Sequence, residues 1–176
     1  MLRDGSKWQT HHWDRLTSTV LAARDIPVRV DDAHGRTIHD IAGAMRRDAS
    51  RHGTRVFILD NLAEVVLAGA RGIESRLDRE LGVVARTFRD TAHSVGAAAV
   101  LCVHLNREVE RREGQEPRLS DLKNSGDIED ASHVVLMLHR PPGDETSLLV
   151  NIEKNRNGPR GRVRLGWNGS TMAVEG

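Results

Sequence analysis

The chain has 176 residues, of which 29% are charged and 38% hydrophobic, and its formal net charge is +1. This length suits one domain with a buried core, so we expect residues 1–176 to form a single domain. The small net charge excludes capture of nucleic acid by a global electrostatic field, and local patches would have to hold such a partner.

Neither a membrane nor an oxidising compartment is indicated. No apolar run reaches the roughly 18 residues that a spanning helix needs. The N-terminus, MLRDGSKWQTHHWDRL, lacks the apolar centre of a secretory signal. The single cysteine, Cys102, lies in the apolar run AAAVLCV and cannot form an internal disulfide. A reducing compartment fits this usage, and we expect the cytoplasm.

The first half of the chain predicts alternating strands and helices. A short extended segment, IPVRV, precedes TIHDIAGAMRRDASRHG, whose apolar residues recur at helical spacing between a Thr37 cap and a stop at Gly53. RVFILD is a continuous apolar run closed by Asp60, and a longer helix is expected over residues 75–95. AAAVLCV then leads into His104.

The second half predicts one more apolar strand and an antiparallel tail. After a polar loop and a short helical stretch, HVVLML ends at His139 and Arg140. LLVNI and VRL flank Asn157 and Gly158, a pair typical of hairpins, and a last short strand is expected near residues 172–174. The order of elements predicts an α/β fold with a mostly parallel central sheet, helices on both faces and a C-terminal antiparallel hairpin.

Three polar residues close the apolar strands, namely Asp60, His104 and Arg140. In open α/β sheets ligands bind outside the carboxyl ends of the strands. Asp60 could hold Mg²⁺ through water there, or it could cap the following turn. His104 could orient water or sense a phosphate, or it could be an ordinary loop residue. The histidines show no zinc-ligand spacing.

The loop after His104 interleaves basic and acidic residues. A solvated surface is the default interpretation, and contact with phosphates through backbone amides near Ser125 and Gly126 is the alternative. Because no aromatic side chain is present to stack a base, such a contact would read the backbone and not the sequence. The bases are Arg107, Arg111, Arg112, Arg118 and Lys123.

The phosphate loop of nucleotide-hydrolysing sheets, G-x-x-x-x-G-K-[ST], does not occur in these 176 residues. The chain nevertheless carries four blocks in an order and spacing that resemble one family. The blocks are VFILDNLAEV, AAVLCVHLNREVERR, RLSDLKNSGDIEDASHVVLMLHR and IEKNRNGPRGRVRLGW. They resemble the C-terminal, RecA-like motor domain of the DnaB family of replicative helicases, and the last two blocks are the specific ones. The resemblance implies a three-layer α/β/α sandwich.

The resemblance implies a nucleotide site that uses ATP and Mg²⁺. Asp60 resembles the family's Walker B aspartate, which holds the magnesium. His104 stands where the family usually has a glutamine that senses the γ-phosphate, and Asn61 stands where a tyrosine is common. Lys154 and Arg156 resemble two basic residues that one subunit inserts into its neighbour's ATP site. We call these two residues the finger pair.

The resemblance also implies partners. Lys123, Asn124 and Gly126 resemble the loop that lines a central channel and grips single-stranded DNA. Unwinding of duplex DNA in replication is implied, within a self-associated ring that is expected to be a hexamer. The family's phosphate loop and the catalytic glutamate after it are expected upstream of Met1, so the chain resembles an N-terminally incomplete motor.

Two other functions remain open at this stage. The chain could be a non-catalytic module, or a gene remnant, that binds DNA or joins a complete helicase ring. It could also be a RecA-fold ATPase of recombination or signalling. That class fits the predicted sheet, but its members lack the last two sequence blocks found in this chain.

Overall fold

The computed structural model describes residues 9–65, 74–122 and 125–176. Contacts between Cα atoms divide the chain into two compact units, Met1–Ala33 and His34–Gly176. No helix among the described residues is long and apolar enough to cross a membrane.

In the first unit, helix α1 spans Thr10–Arg24. It begins where the backbone N–H of Gln9 donates to Nδ1 of His12 at 3.0 Å. None of its residues is buried. No sequence pattern predicts this helix, because a helix with no buried side chain has no apolar stripe. The IPVRV segment that follows forms no strand.

The second unit begins with α2, Ile38–His52, at the predicted bounds. Thr37 Oγ1 accepts from the N–H of Asp40 at 3.3 Å, and Asp40 Oδ2 accepts from the N–H of Thr37 at 3.0 Å. Gly53 ends the helix with a left-handed φ of 67°. Because such a φ is strained for residues with a Cβ, glycine suits this position. Both predicted ends are therefore confirmed.

Helix α3, Glu74–Ser94, follows strand β1, Val56–Leu59, and precedes strand β2, Ala98–Leu101. The two strands pair in parallel, as the sequence predicts. Side chains of α2, α3 and these strands form the main apolar core together with Ile128 and Ala131. The buried apolar side chains that α3 contributes to this core include Val84, Ala85, Phe88 and Ala92.

One face of the β1–β2 sheet remains exposed. Ile58 is 67% exposed and Val56 and Val100 lie about half exposed, whereas Phe57, Leu59 and Leu101 pack against the helices. The sequence predicts helices on both faces of this sheet. In the part of the chain that the structure describes, the apolar side chains on this face have no such cover.

The remaining strands form an antiparallel sheet in the order β3-β4-β5-β6. It follows the short helix α4, Ser125–Ala131, and its strands span Val134–His139, Ser147–Asn155, Gly161–Asn168 and Ala173–Glu175. The sequence predicts β3 as a further parallel strand, and its hydrogen-bonded neighbour is instead the antiparallel β4. Two parallel strands that follow each other in the chain need a crossover of about a dozen residues or more. The loop between β3 and β4 is shorter than that, so β4 runs antiparallel to β3.

Candidate functional site

The carboxyl ends of β1 and β2 lie side by side. Leu59 is in register with Leu101, and the N–H of Cys102 donates to the carbonyl of Leu59 at 3.0 Å. The N–H of Leu62 donates in turn to the carbonyl of Cys102 at 3.1 Å. Asp60 and His104, which follow these strands, therefore leave the sheet at the same edge.

Asp60 has an exposed side chain, and its carboxylate makes no hydrogen bond or ion pair with the described residues. The turn after it, a 3₁₀ helix over Leu62–Glu64, is capped by Asn61, whose Oδ1 accepts from the N–H of Ala63 at 2.9 Å. The interpretation of Asp60 as the cap of this turn is thus wrong. Its carboxylate remains available for a cation, for which oxygen ligands are suitable.

Cys102 lies next to this carboxylate. Burial raises the pKa of the Cys102 thiol, and the negative charge of Asp60 raises it further. The thiol therefore stays neutral near neutral pH and adds no second charge to the edge. His104 is exposed. Across residues 9–65, 74–122 and 125–176, no group of three or more histidine, cysteine or acidic side chains could hold a metal by itself.

The predicted hairpin is present between β4 and β5, with residues 156–160 as its turn. Asn155 shapes this turn, since its Nδ2 donates to the carbonyl of Pro159 at 3.2 Å and its Oδ1 accepts from the N–H of Asn157 at 3.3 Å. A Cβ at Gly158 would lie 2.8 Å from Asn155 Nδ2. A side chain at this position would therefore have to displace the Asn155 amide group that shapes the turn.

The finger pair contacts the C-terminal end of α4. Lys154 Nζ donates to the carbonyl of Glu129 at 2.6 Å, and Arg156 Nη2 donates to the carbonyl of Asp130 at 3.0 Å. The N–H of Arg156 also donates to the carbonyl of His133 at 3.0 Å. In the described part of the chain, no hydrogen bond or ion pair joins either base to Asp60 or His104. The structure thus does not bring the finger pair together with the strand-end residues.

Of the residues predicted to contact DNA, Lys123 and Asn124 lie outside the described residues. Gly126 is in the first turn of α4 and is exposed. A Cβ placed on it would meet nothing within 4 Å. The backbone at this position is therefore open to approach.

One base of the loop after His104 is held by an internal ion pair and is not simply solvated. Arg112 Nη1 and Nη2 donate to the two carboxylate oxygens of Asp121 at 2.7 and 2.8 Å, and Asp121 is only 5% exposed. The N–H of Arg118 donates to the same carboxylate at 2.7 Å. The bond from Arg112, followed by that from Arg118, holds the pKa of Asp121 below its usual range. For Arg112 the solvated interpretation is wrong, because two of its nitrogens bind a buried carboxylate. We call this pair the clamp of Arg112 on Asp121. The sequence could not show it, since the two residues are joined across a loop that has no periodic pattern.

A cleft of about 610 Å³ beside β5 was also missed. It is lined by Arg140 and Trp167, whose indole ring lies 5.5 Å from the guanidinium carbon. The indole N–H is buried and has no acceptor among the described residues. The sequence places Arg140 at a strand end, but Trp167 joins it only because β5 runs alongside the loop after β3.

The chain matches the family described as the DnaB-like helicase C terminal domain over residues 1–175. It is 32% identical over 165 residues to the replicative DNA helicase DnaB of Leifsonia xyli subsp. xyli, across 89% of this chain and 35% of that protein. It is 31% identical over 161 residues to the DnaB of Mycobacterium leprae, across 87% of this chain and 26% of that protein. The chain thus spans about a third or less of these relatives.

Two solved structures share its fold. A DnaB-like replicative helicase, described with its interactions with primase, superposes with a TM-score of 0.88 at 21% identity, across 99% of this chain and 43% of that one. The second structure, an ATPase domain, superposes with a TM-score of 0.85 at 22% identity, across 96% of this chain and 61% of that one. The RecA-like α/β fold is therefore confirmed.

Proposed function

The chain belongs to the DnaB-like helicase C-terminal domain family, and we propose that it is part of the ATP-driven motor of a replicative DNA helicase. In this function it assembles into a ring, expected as a hexamer, that encircles single-stranded DNA and unwinds the duplex. The observation that carries the proposal is the shared edge of β1 and β2, where the side chains of Asp60 and His104 are exposed. Its expected compartment is the cytoplasm.

The proposed nucleotide site uses this edge. A carboxylate with no protein partner in the described chain fits a hydrated Mg²⁺, since the ion keeps several waters and takes few protein ligands. Mg²⁺ bound with ATP supplies charge neutralisation at the phosphates. Asp60 would hold the hydrated ion, and His104 would contact the γ-phosphate or orient water. The phosphate loop that such a site needs is not among these 176 residues.

The finger pair would act on a neighbouring subunit. Lys154 and Arg156 lie at the turn end of the hairpin and make no hydrogen bond or ion pair with Asp60 or His104 within the described residues. A site in another copy or in a complete relative is therefore the proposed target. A base of this kind is worth about 10³ to 10⁵ in the rate of phosphoryl transfer. The proposed DNA contact is the segment of Lys123, Asn124 and Gly126.

The alternative function is a non-catalytic module that joins a ring of complete helicases. The two functions differ in one measurable respect, since a passive module would not restore activity to a ring that lacks finger residues.

A co-assembly assay tests the proposal. The Leifsonia xyli relative is prepared with alanine at the two positions that align with Lys154 and Arg156, and it is mixed with this chain. ATP hydrolysis is measured with single-stranded DNA, and assembly is checked by size-exclusion chromatography. We expect little hydrolysis by this chain alone and partial rescue in the mixture, because its finger pair enters sites that hold a phosphate loop.

Variants of the turn complete the assay. Arg156→Ala should assemble without rescue, and Arg156→Lys should rescue poorly because lysine lacks the planar fork of donors. Arg160→Ala is the matched control, since Arg160 is an exposed base in the same turn, and it should rescue like the wild type. Equal rescue by Arg156→Ala, or none by the wild type in assembled rings, would overturn the proposal.

A further inference from the structure

The last four carbonyl groups of α4 all accept hydrogen bonds from side chains. Such groups have no partner within a helix and are often left to water. Ser132 Oγ donates to the carbonyl of Ile128 at 2.7 Å, and Lys154 Nζ donates to that of Glu129 at 2.6 Å. Arg156 Nη2 donates to the carbonyl of Asp130 at 3.0 Å, and Arg89 Nη1 donates to that of Ala131 at 3.1 Å. A helix of seven residues is thus capped completely at this end.

Three of the four donors are cations, and two of these are the finger pair. Cations are favoured at the C-terminal end of a helix because the backbone dipoles leave it partly negative. The hydrogen bonds to α4 use only some of the N–H groups of Lys154 and Arg156. Arg156 has five N–H groups and Lys154 has three, and within the described residues only one side-chain N–H of each is hydrogen-bonded. Both bases are therefore oriented by α4 while they keep donors for an anion.

Helix α4 is fixed in turn by one stripe of α3. Gly82, Arg86 and Arg89 recur at the spacing of one helix face. A Cβ at Gly82 would lie 2.4 Å from the Cβ of Asp127, so glycine allows α4 to approach closely. Arg86 Nη1 pairs with Asp127 Oδ1 at 3.2 Å. At the other end of the stripe, Arg89 binds the carbonyl of Ala131.

The Arg89 side chain is itself held in place. Its Nε and Nη2 bind the carboxylate of Asp90 at 2.8 and 2.7 Å, which leaves Nη1 to reach α4. Loss of Arg89 would leave the carbonyl of Ala131 without this donor and would loosen the last turn of α4. The carbonyls of Glu129 and Asp130, which orient the finger pair, belong to that turn.

We propose that Arg89 is a positioning residue for the finger pair. It fixes the last turn of α4, and the carbonyls of that turn set the direction in which Lys154 and Arg156 point. This inference rests on the proposed function, in which the finger pair meets the triphosphate bound by a neighbouring subunit. Donors placed before the reaction stabilise developing charge without a cost of reorganisation.

The first test uses this chain alone. It has three lysines, Lys7, Lys123 and Lys154, so mass spectrometry can follow the acetylation rate of Lys154 relative to Lys7. Arg89→Met should raise this ratio about fivefold, which corresponds to one hydrogen bond of about 1 kcal/mol. Gly82→Ala should raise the same acetylation ratio, because the added Cβ would push α4 away at Asp127. Arg164→Met is the control, since Arg164 pairs with Asp144 and not with α4. An unchanged ratio in both α3 variants, Arg89→Met and Gly82→Ala, would overturn the proposal.

The second test uses the mixed rings. Arg89→Met should lower the kcat of the rescued ATP hydrolysis severalfold with KM for ATP unchanged, and Arg89→Lys should retain part of the rescue. In the poorly rescuing Arg156→Lys background, Arg89→Met should lower the residual rescue by a smaller factor, because Arg89 acts through the finger pair. An equal loss in both backgrounds would contradict the positioning role. If acetylation responds as expected but the wild type fails to rescue, the finger assignment is wrong and α4 only anchors the hairpin.

Discussion

The His34–Gly176 unit has a parallel part, formed by β1, β2 and their helices, and an antiparallel part, formed by β3 to β6. The charged residues of the two parts differ in their hydrogen bonding. At the edge of β1 and β2, Asp60 and His104 are exposed and make no hydrogen bond with the described residues. In the antiparallel part, four of the five bases on β4, β5 and their turn are hydrogen-bonded within the described chain, namely Lys154, Arg156, Arg162 and Arg164. Under the proposed function, the exposed groups at the sheet edge act as ligands and the restrained bases act as oriented donors.

The two parts are also stabilised differently. The parallel part is held by an apolar core between β1, β2 and the helices. The antiparallel part adds a polar network, in which Arg162 and the buried Asn151 bind each other and both bind Glu116. The clamp of Arg112 on Asp121 lies in the loop that carries Glu116. Removal of apolar volume should therefore affect the first part most, and removal of charge should affect the second.

The largest effect is expected for Phe88→Ala. Phe88 is 2% exposed in the core beneath β1 and β2. Its truncation should lower the free energy of unfolding by about 4 kcal/mol, because a cavity is left in a packed core. Urea unfolding followed by circular dichroism measures this change. Ile58→Ala, on the exposed face of the same sheet, is the control and should cost far less; a similar cost would mean that this face is covered in solution.

A smaller effect is expected for Asp121→Asn, at about 2 kcal/mol near neutral pH, since hydrogen bonds to a charged group are lost. The pKa of Asp121 is lowered in the folded chain by Arg112. Its charge therefore stabilises the fold above the unfolded pKa of about 3.9, and this contribution is lost as the pH falls through the lower folded pKa.

Unfolding of the wild type and Asp121→Asn should thus differ at pH 7 and converge in acid. Asp144→Asn is the control, because its partner Arg164 is largely exposed; its effect at pH 7 should be smaller. A difference for Asp121→Asn that persists unchanged at pH 2 would argue against an electrostatic origin.

The smallest effect on stability is expected for Asp60→Ala. Its exposed carboxylate has no partner among the described residues, so the free energy of unfolding should change by less than about 0.5 kcal/mol. Thermal and urea unfolding measure this change. A loss as large as that of Asp121→Asn would show that Asp60 is a structural residue, and the contrast between the two parts would fail.

Features that depend on neighbouring residues in the sequence were determined by the sequence itself. The ends of α2 follow from Thr37 and Gly53, because a cap forms within a few residues of the helix it ends. The apolar stripe of α3 and the runs of β1 and β2 follow from periodicity. The hairpin around Asn157 and Gly158 and the polar residues at the strand ends were predictable for the same reason.

Tertiary structure alone decided which distant groups meet. The antiparallel partner of β3, the clamp of Arg112 on Asp121 and the contact of Arg140 with Trp167 join segments whose separation carries no periodic signal. The capping of α4 by Arg89 and the finger pair is the clearest case. Its acceptors are backbone carbonyls, which every residue has, so no residue type marks them in the sequence and only the packing of α3, α4 and the hairpin selects them.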